Sequence, residues 1–256
     1  MSLITEPDLT GWRERGYFRV DRFAEPSEGQ AMLDCVLGLV RSAAAGEDIA
    51  PALVMPEQQA DMREVDVPEL GVSKVFRVAG IGPFRTFLDR PDVLALVSEL
   101  VGTVEIDCFS SQFIFKTPGA WGQPWHQDSY YFPFEPPRPI VGLWLAVTEA
   151  TLENGCLHVL AGSNHEVVHE HIPDRRPGAN YGYVEIVDHD MAASEPVLMD
   201  PGDLLVFDSH LMHRSHDNTS TGARAAMVFH FAAAGTVDHT ERLRGYTIHD
   251  WIPVGR

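Results

Sequence analysis

A chain of 256 residues, 45% apolar and 22% charged, suffices for one large domain with a substantial core. Its formal net charge of −18 argues against nucleic acid or an anionic membrane as the main partner, because phosphate recognition needs clustered Lys and Arg. Three widely spaced cysteines, Cys35, Cys108 and Cys156, with no CxxC pair, argue against a disulfide framework or a Cys-based zinc site and fit a reducing compartment.

In chain order, residues 7–15 suit a short helix, with Asp8 as its cap, and Tyr17 to Val20 read as a strand. Pro26-Ser27-Glu28 opens a helix with Met32, Val36, Leu39 and Val40 on one face, ending near Gly46. Residues 47–70, with Pro51, Pro56, Pro68 and scattered acids, read as an irregular connection that could serve as a lid. Ser73 to Ala79 alternates as a strand does, and two helical pieces follow at 83–89 and 91–101.

From residue 103 the character changes to alternating runs rich in β-branched and aromatic residues. These lie at 103–116, 140–150, 156–160, 183–187, 196–199, 203–207 and 224–232, with turn signals such as Asn154-Gly155 and Gly202 between them. The expectation is a mainly β fold with N-terminal helices: a sandwich or jelly roll buttressed by helices. No repeat or linker divides the chain. It is read as one domain, with a helical or mixed N-terminal region over residues 1–102, a jelly-roll core over 103–235 and a C-terminal tail over 236–256.

The start, MSLITEPDLTGW, lacks a basic stretch followed by an apolar core, no run of 18 apolar residues occurs, and the final Pro253-Val254-Gly255-Arg256 is no organelle address. A cytoplasmic protein is expected.

The chemistry centres on Pro124-Trp125-His126-Gln127-Asp128-Ser129-Tyr130-Tyr131. In an extended segment, side chains at i and i+2 share a face, roughly 7 Å apart at the backbone. An imidazole and a carboxylate so placed can hold a metal, and another His would complete the 2-His-1-carboxylate set of non-haem Fe(II) oxygenases. His210, His213 and His216 fall at three-residue intervals, so spacing alone does not choose among them. Further on, Asn218, Ser220 and Arg224 follow, the last heading a strand. A guanidinium clamps a carboxylate through two parallel charge-assisted hydrogen bonds, which fits an oxygenase with a dicarboxylic co-substrate.

HQD at 126–128 together with HRSHDNTSTGAR at 213–224 resembles the phytanoyl-CoA dioxygenase family of Fe(II)/2-oxoglutarate oxygenases. The segment GLWLAVTEATLENGCLHVLAGSNH at 142–165 is similar to that family's middle stretch, closest to its domain-containing branch. The resemblance covers about residues 10–235. It implies a double-stranded β-helix, cupin-like, and an enzyme that consumes O2 and 2-oxoglutarate, releases succinate and CO2, and hydroxylates or otherwise oxidises a small molecule. By position it implies His126, Asp128 and His213 as iron ligands. It also implies Arg224 and Ser215 on the distal carboxylate of 2-oxoglutarate, with Trp144, Gln112 and Lys74 around the co-substrate. A carboxylate at Asp128, where related halogenases have a small residue, implies hydroxylation. One departure is Gly162-Ser163-Asn164-His165, where the family reads Gly-Ser-His; the extra residue lies in a loop away from the metal.

Alternation puts His230 on the same face as Arg224, so it should point into the barrel, as a satisfied core histidine or as a substrate or ligand-supporting contact. Tyr130 and Tyr131 are expected at the substrate mouth. Arg175-Arg176 is the one basic pair in a mouth loop, ordinarily just solvated. Two other readings stay open: a cupin-like metal enzyme without 2-oxoglutarate, which would need neither Arg224 nor Ser215, and a non-catalytic binding module, which would tolerate loss of a ligand.

Overall fold

The computed structural model describes residues 5–58 and 66–255. Its frame is an eight-stranded antiparallel sheet. In spatial order it runs Tyr17–Val20, Leu204–Asp208, Val141–Ala146, Arg224–Ala233, Ile106–Lys116, Val72–Phe76 and Leu53–Pro56, with Ile252–Val254 also paired to Ile106–Lys116. A smaller sheet of Glu195–Val197, Leu157–Val159 and His213–Ser215 faces it. The expected jelly-roll arrangement of two antiparallel sheets is present.

Strand periodicity decides which side chains meet the cavity. Along Arg224–Ala233, the alternate residues Ala225, Met227, Phe229 and Phe231 join the core beneath the helices, while Ala226 and Val228 point between the sheets. Helices Pro26–Ala44 and Pro91–Val101 cover the outer face with Met32, Val36, Val40, Val93 and Leu96, all fully buried. Phe87, from helix Gly82–Leu88, stacks on Phe229 at 5.6 Å between ring centres. A bulge at His230/Phe231 leaves Phe109 without a cross-strand partner. Phe109 lies edge-on to Phe132 and Phe134, so this end of the inner space is closed by aromatic rings.

Three local expectations need correction. The first helix, Glu6–Arg15, is capped by Thr5 rather than Asp8; Asp8 is the third helical residue and bonds back to the Thr5 backbone N–H in a capping box. The span 47–70 is not simply irregular: Leu53–Pro56 extends the sheet edge and Pro68–Gly71 forms a 3-10 turn, while residues 59–65 lie outside the described residues. The expected tail 236–256 contributes Ile252–Val254 to the main sheet, burying Val254. Its short apolar alternation is too brief to stand out in sequence. Among the described residues no helix is long and apolar enough to cross a membrane, and all three cysteines are free thiols.

Candidate metal centre and co-substrate cavity

His126, outside the strands, and His213, which opens the strand His213–Ser215, are locked together by their backbones: each N–H donates to the other's carbonyl at 3.0 Å. This closed pair brings the two rings to 4.2 Å between centres. Gln127 is extended, so Asp128 returns to the face of His126 before a 3-10 turn, Asp128–Tyr130, turns the chain away. Asp128 Oδ1 lies 3.5 Å from His126 Nε2 and 3.8 Å from His213 Nε2. All three side chains are buried, with their donor atoms within 4.8 Å of one another.

The protonation pattern suits a cation. His126 Nδ1 lies 2.8 Å from the Pro124 carbonyl, and His213 Nδ1 lies 3.0 Å from the Leu211 carbonyl. A carbonyl only accepts, so each Nδ1 carries the proton and each Nε2 turns its lone pair toward Asp128. Burial, followed by the neighbouring His126, pulls the His213 imidazole down from 6.5 to about 4, which keeps it neutral. For Asp128, burial pushes the carboxyl up, but His213, His126 and His230 together hold it well below the usual carboxylate range. The centre is thus two imidazoles, the His213 ring neutral, and one carboxylate.

Both shifts set the pH response of the metal-free protein. Each folded-state value is depressed, so the unfolded chain binds more protons as acid is added. The contribution of His213 is fully present above 6.5 and is lost as pH falls toward about 4. The melting temperature in the presence of a chelator is expected to fall across that window, and less so for His213→Phe. A wild-type profile flat between those limits would contradict the assignment.

His230 Nε2 donates to Asp128 Oδ2 at 2.8 Å, and the ring is fully buried. It does not line the open space, contrary to the expectation of a substrate contact: the parity with Arg224 was right, but Asp128 sits between it and the cavity. Phe109, Phe132 and Phe207 surround its ring. His230→Phe should keep the packing but free one carboxylate oxygen, lowering metal affinity about 10- to 100-fold. Metal titration followed by competition with a chelator measures this; unchanged affinity would remove His230 from the centre's support.

A cavity of about 360 Å³ opens from this centre between the sheets. Arg224, 2% exposed, lies at its inner end with its guanidinium 5.3 Å from the Trp144 ring centre. One of its terminal nitrogens donates to the Gly155 carbonyl at 3.0 Å, and its Nε is buried with no hydrogen-bond partner. Burial pulls the guanidinium down to about 10, leaving it charged at neutral pH. The turn before it is tied by Asn218, whose amide donates to the carbonyls of Lys116 and Gly222 at 2.8 Å, and by Ser220, which donates to the Asn218 side chain at 2.7 Å. Gly155 is at φ +78°, and a Cβ there would come 2.3 Å from the His216 carbonyl, so only glycine lets its own carbonyl reach Arg224.

Of the other expected residues, Ser215, Trp144, Gln112 and Lys74 all line the cavity, as does Tyr131. Lys74 Nζ donates to the Gln123 side chain at 3.2 Å and lies over the Tyr183 ring. Tyr130 does not line it: its ring stacks on His171 at 4.4 Å and beneath Arg244 at 4.4 Å, because the 3-10 turn sends it outward. His210 and His216 lie away from the metal centre: His210 contacts the Glu166 carbonyl and His216 packs edge-on against His158. Arg175 and Arg176 are held by acids, Glu185 at 3.7 Å and Asp174 at 2.6 Å.

Sequence reasoning missed Lys116. It is 3% exposed and donates to the Ser215 hydroxyl at 2.7 Å and the His216 carbonyl at 2.5 Å. Burial, then the charge of Arg224, hold its ammonium well below the ordinary 10.5. Its signal was available: Lys116 shares parity with Gln112 and Ile114 on a strand whose even positions face inward, and a lysine there needs an anion.

Fold and donor set together define the class: a two-sheet β barrel with a 2-His-1-carboxylate centre at its opening. The phytanoyl-CoA dioxygenase (PhyH) family model matches residues 12–226, and the chain belongs to that family. A probable phytanoyl-CoA dioxygenase of Caenorhabditis elegans is 30% identical over 192 residues, covering 69% of this chain and 62% of the relative. Phytanoyl-CoA dioxygenase domain-containing protein 1 of Rattus norvegicus is 33% identical over 180 residues, covering 66% and 60%. The chain therefore spans about three fifths of the length of these two relatives. Among solved structures, EctD from S. alaskensis with 2-oxoglutarate and 5-hydroxyectoine superposes with TM-score 0.69 at 18% identity, covering 90% of this chain and 76% of EctD. EvdO2 from Micromonospora carbonacea var. aurantiaca superposes with TM-score 0.68 at 20% identity, covering 92% and 93%. These likenesses establish the double-stranded β-helix.

Proposed function

We propose that the chain is an Fe(II)- and 2-oxoglutarate-dependent dioxygenase that hydroxylates a small molecule in this cavity. The observation that carries the reading is the pairing, in one cavity, of an open His126/Asp128/His213 donor set with a buried guanidinium that has an unpartnered Nε. An isolated buried cation is costly, and a carboxylate supplies the missing acceptors. EctD and EvdO2 have both been solved with 2-oxoglutarate, and EctD also with iron, which supports the same ligands here.

His126, Asp128 and His213 would hold the iron, with Nδ1 anchors and His230 orienting them. Arg224, Ser215 and Lys116 would take the distal carboxylate of 2-oxoglutarate, with Trp144 against its chain and Gln112 and Lys74 along the wall. Bound iron would supply oxidation of a substrate C–H bond, coupled to O2-dependent decarboxylation of 2-oxoglutarate to succinate and CO2. The aromatic walls around Tyr131 and Tyr183 would exclude water from the reacting face.

The substrate reading is a small metabolite rather than nucleic acid, and the working compartment the cytoplasm. The net charge of −18, the three free thiols and the acid-paired Arg175 and Arg176 support this. Residues 1–256 are read as one unit, supported by the return of Ile252–Val254 to the central sheet.

Anaerobic addition of Fe(II) and then 2-oxoglutarate should produce a visible charge-transfer absorption. Aerobic turnover against acyl-CoAs, free acids, amino acids and polar metabolites should release succinate. Absence of the absorption with iron demonstrably bound would exclude 2-oxoglutarate as the co-substrate.

A further inference from the structure

A second group of ligand-type side chains lies on the surface loop between the two sheets' strands. Glu166 Oε2 is 2.8 Å from His169 Nε2 and 3.1 Å from His189 Nε2, and the three donor atoms fall within 4.8 Å of one another. All three are partly buried, with side-chain exposures of 38%, 25% and 20%. The string His165-Glu166-Val167-Val168-His169 has the form HExxH, but it is not helical: a 3-10 turn ends at His165 and the chain then runs irregularly. The paired-histidine zinc arrangement, which needs both histidines on one helix face, is therefore absent. His189 instead comes from twenty residues further on to join His169 about Glu166.

One of the two histidines has the Nδ1 anchor seen at the iron-type centre. His189 Nδ1 lies 3.0 Å from the Asp190 carbonyl, which only accepts, so Nδ1 carries a proton. A proton on Nε2 makes its contact with Glu166 an ion pair; in that proton's place a metal cation would hold both atoms. One carboxylate oxygen of Glu166 faces both imidazole nitrogens, at 2.8 and 3.1 Å; a tetrahedral zinc with ligands at about 2.1 Å sets them about 3.4 Å apart, so binding would widen both contacts by a few tenths of an ångström. Two imidazoles and one carboxylate suit zinc and similar first-row ions, not magnesium or calcium, which take oxygen ligands.

The loop is wired to the other centre. Gln127, between His126 and Asp128, is fully buried, and its side chain donates to the Val167 and His210 carbonyls at 3.1 and 2.9 Å and accepts from the His169 N–H at 2.8 Å. Its own N–H donates to His171 Nε2 at 3.0 Å.

We propose that Glu166, His169 and His189 form a second divalent-metal site of zinc type, which pins the loop 166–189 against Gln127 and so braces the stretch carrying His126 and Asp128. The site is independent of the oxygenase reading and can be tested without turnover. The full chain is dialysed to equilibrium against Zn2+ in excess Mg2+, and bound zinc is counted per chain. Wild type should hold two equivalents, His126→Ala/His213→Ala one, and that double variant with Glu166→Gln or His189→Ala added none. Zn2+ should raise the melting temperature of His126→Ala/His213→Ala by a few degrees and leave its Glu166→Gln derivative unmoved. No zinc on His126→Ala/His213→Ala, or an equivalent that survives both Glu166→Gln and His189→Ala, overturns the site. The near-isosteric Glu166→Gln keeps the test valid if a histidine change unfolds the loop.

Discussion

Replacing Arg224 by methionine is expected to weaken 2-oxoglutarate binding by about 10²- to 10³-fold while leaving the metal-free protein at least as stable as wild type. Two opposed effects meet at this residue. Each charge-assisted hydrogen bond to a carboxylate contributes about 1.5–3 kcal/mol, so losing a bidentate pair removes about 3–4 kcal/mol of binding. In the metal-free, co-substrate-free protein the same guanidinium is buried with one carbonyl partner and an idle Nε. Its removal relieves an uncompensated charge, and methionine of similar length packs against Trp144 without it. It also relieves the repulsion that helps hold Lys116 below its usual range. KM for 2-oxoglutarate and the melting temperature read the two effects separately. An unchanged KM with a melting temperature lowered by several degrees would make Arg224 a structural residue. Arg224→Lys is expected to recover little, because an ammonium does not reproduce the planar fork.

Asp128→Ala should lose at least about 10²-fold in succinate formation, since even changes behind a ligand cost 10- to 100-fold in metal affinity or activity. The damage is twofold. The carboxylate leaves the donor set, and His230, whose Nδ1 has no partner among the described residues, loses its hydrogen bond to Asp128. Burial of such a polar ring without a partner costs on the order of 1–3 kcal/mol, so the melting temperature should fall as well. Asp128→Ala/His230→Phe should recover that stability without recovering turnover. Full turnover in Asp128→Ala would dismiss the carboxylate as a ligand; a stability loss that His230→Phe does not repair would dismiss the pairing.

The strands and helices were legible wherever periodicity ran for five residues or more. The helix Pro26–Ala44, the strand Ile106–Lys116 and the strand Arg224–Ala233 each carry an apolar rhythm that local chain geometry turns directly into a buried face. The two-residue strands Phe134–Glu135 and Val237–Asp238 carry no such rhythm. They pair only with each other, as a separate two-stranded ribbon formed when chain segments about a hundred residues apart meet, whereas Ile252–Val254 is held by its pairing to Ile106–Lys116 in the main sheet.

For the centre, the HQD pair, the triple histidine and Arg224 were enough to propose a metal and a carboxylate partner, because ligand type and charge are properties of single residues. Family membership follows from the motifs at 126–128 and 213–224 and holds over residues 12–226. What the linear chain could not express was which groups face one another. His213 is set apart from His210 and His216 by a backbone bridge to His126. His230 is directed onto Asp128, Tyr130 is turned out onto His171, and Lys116 is delivered beside Ser215 and Arg224. Each of these outcomes depends on strand register, a bulge or a 3-10 turn, and none has a local signature, since it arises only when segments distant in the chain close into one barrel.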